Sequence, residues 1–229
     1  MIEIVPAILP EDIQEIREKL TELMEVVSYV QIDFCDGVYV KSKTWPFNHS
    51  DDYVFEQIMS EEEGLPYWDR FNFEFDLMVK DATKSFDTFI KLGASRIIFH
   101  LEAEENETEF LEFLEGIDLY IRDNVEIGVA IKQSTLVSKL DPLIAHLDFV
   151  QLMGIKEIGK QGLEFDEGVL EQIRTLRAKY PELVISVDGG VDKSTVSRLR
   201  EAGVNRLVVG SDIWKANDIP NEIRCLESL

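Results

Sequence analysis

Tyr29-Val30-Gln31-Ile32-Asp33-Phe34, followed by Cys35-Asp36-Gly37, is a short β-branched and aromatic run with an acid near its end and a turn signal behind it. Its length is that of a strand, and its mostly apolar character fits a strand covered on both faces. Gln31 and Asp33 share one face and Ile32 takes the other, because successive strand side chains point to opposite sides. Runs of the same kind lie on either side: Ile2–Val5 before it, then Asn72–Met78, Arg96–His100, Glu126–Ile131, Asp148–Leu152, Val184–Val187 and Arg206–Val209, eight in all. Helical spacing fills gaps between them. Pro10–Val26 sets Ile13, Ile16, Leu20, Leu23 and Met24 on one stripe, and Leu163–Tyr180 does the same with Val169, Leu170, Ile173 and Leu176. Lys193–Ala202 runs into Gly203 and Thr83–Leu92 into Gly93, each a signal for a helix C-cap.

Strand and helix alternating eight times predict a parallel sheet with helices outside it. The 229 residues give about 29 per unit, the size of a βα repeat in a closed (β/α)8 barrel, the TIM barrel. An open doubly wound sheet usually carries a GxGxxG turn after its first strand. Here Pro6-Ala7-Ile8-Leu9 follows instead. No Ser-, Gly- or Pro-rich linker divides the chain, so one barrel domain spanning residues 1–229 is expected.

Composition narrows the function. With 45% apolar and 30% charged residues the chain supports a folded core. A net charge of -22 argues against a nucleic-acid partner and against a membrane partner, because both ask for a basic surface. Cys35 and Cys225 make no disulfide framework and no zinc spacing. The N-terminus lacks the basic start of a signal peptide, and no apolar run nears the roughly 18 residues that span a bilayer. A soluble, cytoplasmic protein is expected. The acidic stretches Ser60–Gly64 and Glu102–Glu109 read as solvated surface.

In such a barrel, chemistry sits where strands end at the C-terminal face. Asp33, Asp76 and Asp188 all stand at such ends, each inside an otherwise apolar run, where an acid needs a partner or a task. Gly189-Gly190 follows the seventh run and Gly210-Ser211 the eighth, the two loops in which barrels usually hold phosphate. Backbone N–H groups exposed by glycine can grip an anion without any arginine, which reconciles an acidic chain with a phosphorylated ligand.

At these residues the sequence resembles the ribulose-phosphate 3-epimerase family, (β/α)8 barrel enzymes of the pentose phosphate pathway, along nearly its whole length. Pro6-Ala7-Ile8-Leu9 is similar to the family's PSIL opening, Gln31–Gly37 to its HxDxMDG segment, and Phe75–Val79 to its HLMV segment. Ile97–Ala103, Val187–Val191 and Val208–Ser211 are similar to its FHxEA, VDGGI/V and VxGS stretches. The resemblance implies interconversion of ribulose 5-phosphate and xylulose 5-phosphate. One acid takes the C3 proton to give an enediolate, and a second returns a proton on the other face. Asp33 and Asp188 match the family's catalytic pair. Gly189, Gly190, Gly210 and Ser211 match its phosphate side, and Met153 its apolar wall. The family's metal set is two His and two Asp; here the His positions carry Gln31 and Asp76, while Asp33 and Asp188 remain. An all-oxygen set of Gln31, Asp33, Asp76 and Asp188 moves preference from zinc toward manganese, magnesium, calcium or iron, if a divalent metal is held at all. Two alternatives stay open beside the epimerase: a related enzyme of a different ketose phosphate, and a barrel that binds a phosphorylated sugar without epimerising it. Family members are commonly oligomers, so the resemblance also implies a homodimer.

Lesser signals carry bland expectations. His100 reads as core or as a support behind the site, His49 and His146 as surface, and Met78 as barrel lining. Lys160 reads as either a phosphate contact or an exposed side chain, and Trp45 and Trp68 as either closing the site or packing an interface.

Overall fold

The computed structural model describes residues 2–48 and 53–229; His49 lies outside the described residues. Eight parallel strands follow one another around a closed barrel: β1 Glu3–Ile8, β2 Tyr29–Cys35, β3 Asn72–Met78, β4 Ala94–His100, β5 Glu126–Ile131, β6 Phe149–Met153, β7 Val184–Asp188 and β8 Arg206–Val209. Outside them stand α1 Ile13–Glu22, α2 Tyr53–Met59, α3 Phe86–Lys91, α4 Glu107–Gly116, α5 Leu119–Arg122, α6 Gly168–Lys179, α7 Val196–Ala202, α8 Ser211–Trp214 and α9 Ile219–Ser228. The single-domain (β/α)8 architecture expected from the eight runs is the one observed.

Boundaries differ where local chemistry competes. β1 does not stop at Val5 but continues through Pro6 to Ile8. Pro6 donates no ladder hydrogen bond, and the register shows why this is tolerated. β1 pairs with β8 as far as Pro6 opposite Val209, then with β2 from Ala7 opposite Gln31, so the proline falls at the hand-over. The eightfold alternation fails once. Between β5 and β6 stand only short 3-10 turns, Val137–Leu140 and Ile144–His146. Pro142 lies between them, and a proline in a helix interior loses a hydrogen bond and clashes with the preceding turn. The predicted C-caps hold: Gly203 and Gly93 both take positive φ, 107° and 91°.

Each helix buries one stripe against the outside of the sheet. On α1 these are Ile16 and Leu20, and Asp12 caps its start by accepting from the Glu15 amide at 2.8 Å. Phe34, Phe75 and Phe89 stack edge-on and tilted between β2, β3 and α3, with ring centroids 5.0 to 6.4 Å apart. Burying each such side chain contributes about 1.5–3 kcal/mol. Trp45 belongs to this core, fully buried with its ring 5.9 Å from Phe55, while Trp68 is exposed.

The inside of the barrel is divided by polarity. At the N-terminal end of the strands, Arg96 reaches Glu3, Glu74 and Glu126 at 3.1 to 3.4 Å and lies over the Tyr29 ring. Arg206 joins the same acids through Glu3 and Glu126. Above this plug the Phe149 ring fills the lumen, and Gly128 is required beneath it, since a Cβ there would stand 2.4 Å from the ring.

Candidate functional site

Strand alternation and register bring the expected acids together. Gln31 and Asp33 point inward from β2, and β2–β3 pairing sets Asp76 directly beside Asp33. Asp188 ends β7 opposite Met153 of β6. The carboxylates of Asp33, Asp76 and Asp188 each place an oxygen within 4.8 Å of the others, so the triad could hold a metal ion. Gln31, fully buried, donates from Nε2 to Asp33 Oδ1 at 2.8 Å and to Asp188 Oδ2 at 3.1 Å. Asp76 is held on both oxygens, by His100 Nε2 at 2.6 Å and by Gln151 Nε2 at 3.0 Å. Gln151 Oε1 in turn accepts from Ser186 Oγ at 3.3 Å. His100 thus supports the site from behind. His146 lies half-buried, 3.7 Å from Glu115.

Crowding three acids in a dry lumen makes ionising all of them costly. Burial, then the neighbouring Asp188 and Asp76 carboxylates, push the Asp33 carboxyl well above its ordinary range, against the Gln31 hydrogen bond. Burial and then Asp76 push Asp188 up to about 8. Cys35, on the same face of β2 as Asp33 and 4.0 Å from Met78 Sδ, has its thiol pushed up by burial and by Asp33, which leaves it unreactive.

The donor set fits a hard divalent cation. Three carboxylates supply oxygen, and Gln31 Oε1 is buried without a hydrogen-bond partner, a polar atom left over on the wall of the triad.

Asp33 and Asp188 stand at one end of a cavity of about 480 Å3 that also carries Met78, Met153 and Ile155. Its far end is built from the loops after β6, β7 and β8. Gly189 and Gly190 take φ of 96° and 67° there. Gly190 has a second reason: a Cβ on it would stand 2.6 Å from the Phe165 backbone. Gly210 and Ser211 line the same end. Of the expected site residues, Asp33, Met153, Asp188, Gly189, Gly190, Gly210 and Ser211 line this cavity, while Gln31 and Asp76 are buried beside its acids.

Several further residues stand at this cavity. Gln161 lies across Gly210 and donates to the Ala7 carbonyl at 3.2 Å. Its loop is tied to the β2 side by Ser42 Oγ, which donates to the Gly159 carbonyl. Lys215 and Arg198 bring cations to the glycine end. Lys215 Nζ lies 3.6 Å, and Ser211 Oγ 3.7 Å, from the point a Cβ on Gly162 would occupy. Arg198 pairs with Glu167 and lies over the Phe165 ring. Lys160 also lines the cavity, with Nζ 3.0 Å from Glu157. The sequence offers Lys160 as a phosphate contact and Glu157–Gly162 as loosely similar to the family's phosphate-side loop, but it marks neither Arg198 nor Lys215. Two acids of the supposed surface run turn inward instead. Glu102 accepts from the Lys132 amide at 2.8 Å, from Thr135 and from the Tyr39 hydroxyl at 3.3 Å. Burial pushes Glu104 up to about 7.

A closed parallel barrel with carboxylates converging at its C-terminal mouth, facing glycine turns and lysines across one cavity, belongs among the (β/α)8 barrels that carry chemistry on small ligands. Residues 3–214 match the Ribulose-phosphate 3 epimerase family, and the chain belongs to that family. Ribulose-phosphate 3-epimerase of Eremothecium gossypii is 28% identical over 218 residues, covering 94% of this chain and 87% of the relative. That of Schizosaccharomyces pombe is 28% identical over 222 residues, covering 96% and 90%. Among solved structures, a 3-hexulose-6-phosphate synthase superposes with a TM-score of 0.68 at 17% identity over 99% of both chains. The 3-hexulose-6-phosphate synthase of Salmonella typhimurium superposes with 0.65 at 14% identity, over 99% of this chain and 97% of that one. At such identities the structural likeness speaks for the fold alone. Among the described residues, no helix is long and apolar enough to cross a membrane.

Proposed function

We propose that the chain epimerises ribulose 5-phosphate and xylulose 5-phosphate at C3, as its relatives are named for doing, with residues 1–229 acting as one catalytic domain. The observation that carries this reading is the convergence of Asp33 and Asp188 on one amide at the acid end of the cavity. Asp33 and Asp188 are the acid–base pair. The ionised partner takes the C3 proton, and the C–H electron pair becomes the enediolate while the C2 carbonyl oxygen gains the charge. The protonated partner then gives its proton to the other face of C3. Without a bound cation, the raised titration of both groups leaves the pair a proton to donate near neutral pH. Gly189, Gly190, Gly210 and Ser211 bind the phosphate, with Lys215 beside them, and Met153 forms the apolar wall. Gln31, Asp33, Asp76 and Asp188 would hold a divalent cation, with magnesium, manganese or iron favoured over zinc by the absence of imidazole and thiolate ligands. Such a cation, when bound, neutralises charge on the enediolate oxygens. A homodimer in the cytoplasm, with a phosphorylated sugar as its small-molecule partner and neither nucleic acid nor membrane, completes the reading.

Coupled turnover of ribulose 5-phosphate tests it, run with chelator and then with added magnesium, manganese, iron and zinc. Turnover under at least one condition is expected. None under any, with phosphosugar binding retained, would leave a binding barrel in place of an enzyme.

A further inference from the structure

Gln31 does two incompatible things. Its Nε2 group spends both hydrogens on Asp33 and Asp188, while its Oε1 is buried with no partner among the described residues. Leaving a buried carbonyl unpaired costs about 1–3 kcal/mol. The orientation is nevertheless favoured while the ionised member of the pair has no cation beside it. Turning the amide over would face its oxygen against that carboxylate. A divalent cation reverses this preference, since an N–H group aimed at a cation is repelled and a carbonyl oxygen is a ligand. We propose that Gln31 is a two-position positioning residue, tying Asp33 to Asp188 through Nε2 in the cation-free site and turning Oε1 to the metal when a hard divalent cation enters the Asp33, Asp76 and Asp188 triad.

The chemistry separates the two positions. Asp76 is already fixed on both oxygens by His100 and Gln151, so its carboxylate stays put whichever way the amide lies. Asp33 and Asp188 share the Gln31 bridge, and only they are released when it turns. The same substitution thus sets how the two acids are held without metal and how many oxygens meet a metal. This inference rests on the epimerase reading for its purpose but not for its test.

The test titrates Mn2+ into the whole chain by calorimetry, for the parent, Gln31→Leu and Gln31→Glu. Leucine removes both bridge and ligand, and glutamate keeps a ligand oxygen while losing the donor. The expected result is binding by the parent, about tenfold or more weaker binding by Gln31→Leu, and about tenfold or more tighter binding by Gln31→Glu. Binding by Gln31→Leu as tight as the parent overturns the proposal, since the amide would then only compete with the metal. Failure of the parent to bind overturns it as well. A second measurement needs no variant beyond assignment. In the parent, the Gln31 side-chain amide resonances should shift and exchange faster with solvent on saturation with Mg2+; unchanged resonances at saturation overturn the proposal. The coupled turnover assay is read alongside. Turnover without metal binding removes this inference and leaves the epimerase reading, and metal binding with amide reorientation but no turnover does the reverse.

Discussion

Asp33 and Asp188 are destabilised by the feature that makes them useful. In the unfolded chain an aspartate titrates near 3.9, whereas burial and like charge carry Asp188 to about 8 and Asp33 in the same direction. Below about pH 4 both states hold the protons and nothing is lost. As pH rises from 4 toward 8 the unfolded chain sheds protons that the native state keeps, so stability falls through that window. Asp188→Asn cannot ionise. With chelator present, the drop in Tm between pH 5 and pH 8 should be smaller in Asp188→Asn than in the parent, and a parent curve as flat as the variant's would contradict the crowding described above. Activity should move the other way. Asp33→Asn and Asp188→Asn should each lose about 10²-fold or more in kcat, the usual contribution of a positioned acid or base. Activity close to the parent's in either variant would remove that residue from the pair.

The elements hold these acids in place from below and from the loops above. Arg96 on β4 compensates Glu74 on β3, both buried, with Glu3 and Glu126 at the edge of the same cluster. Glu74 is pushed up to about 7 by burial despite that arginine. Arg96→Met should therefore cost about 3–5 kcal/mol in urea unfolding at pH 8, because it strands a buried carboxylate. Pairing it with Glu74→Met should recover much of that loss; equal loss in single and double variants would mean the network adds nothing beyond packing. At the opposite end, Gly190→Ala forces a side chain into a φ of 67° and against the Phe165 backbone. It should weaken phosphosugar binding by about tenfold or more, seen as a raised KM, and unchanged KM would show that the turn does not shape the anion end. How legible all this was follows from range of interaction. Strands such as Asn72–Met78 and Glu126–Ile131 were readable to the residue because apolar runs between polar ends are local. The extension of β1 through Pro6 was not, since it depends on which neighbour each residue pairs with. At the site, Asp33, Asp76 and Asp188 declared themselves as acids in apolar strands. Lys215 and Arg198 did not, because a long cationic side chain looks the same in sequence whether it faces solvent or a cavity.

At the scale of the whole molecule, charge opposes the proposed function. The chain carries a net charge of -22, and the proposed substrate is an anion. Its approach is uphill in the long-range field, which acts over roughly 30 Å at 0.01 M salt but only about 8 Å at 0.15 M. Of the cations that line the cavity, Lys160 and Arg198 are paired with Glu157 and Glu167, so the local attraction falls to Lys215 and the backbone amides and acts at short range. Salt should therefore strip away the repulsive long-range part first and leave the local attraction largely intact. Raising NaCl from 0.01 to 0.15 M should increase kcat/KM for ribulose 5-phosphate by a few-fold, the reverse of the fall seen where opposite charges steer encounter. Lys215→Ala removes part of the local attraction, so it should lower kcat/KM at every salt concentration and steepen the rise. If kcat/KM in the parent falls with salt instead, the glycine end of the cavity outweighs the acidic surface even at long range. Lys215→Ala should then flatten the dependence rather than sharpen it.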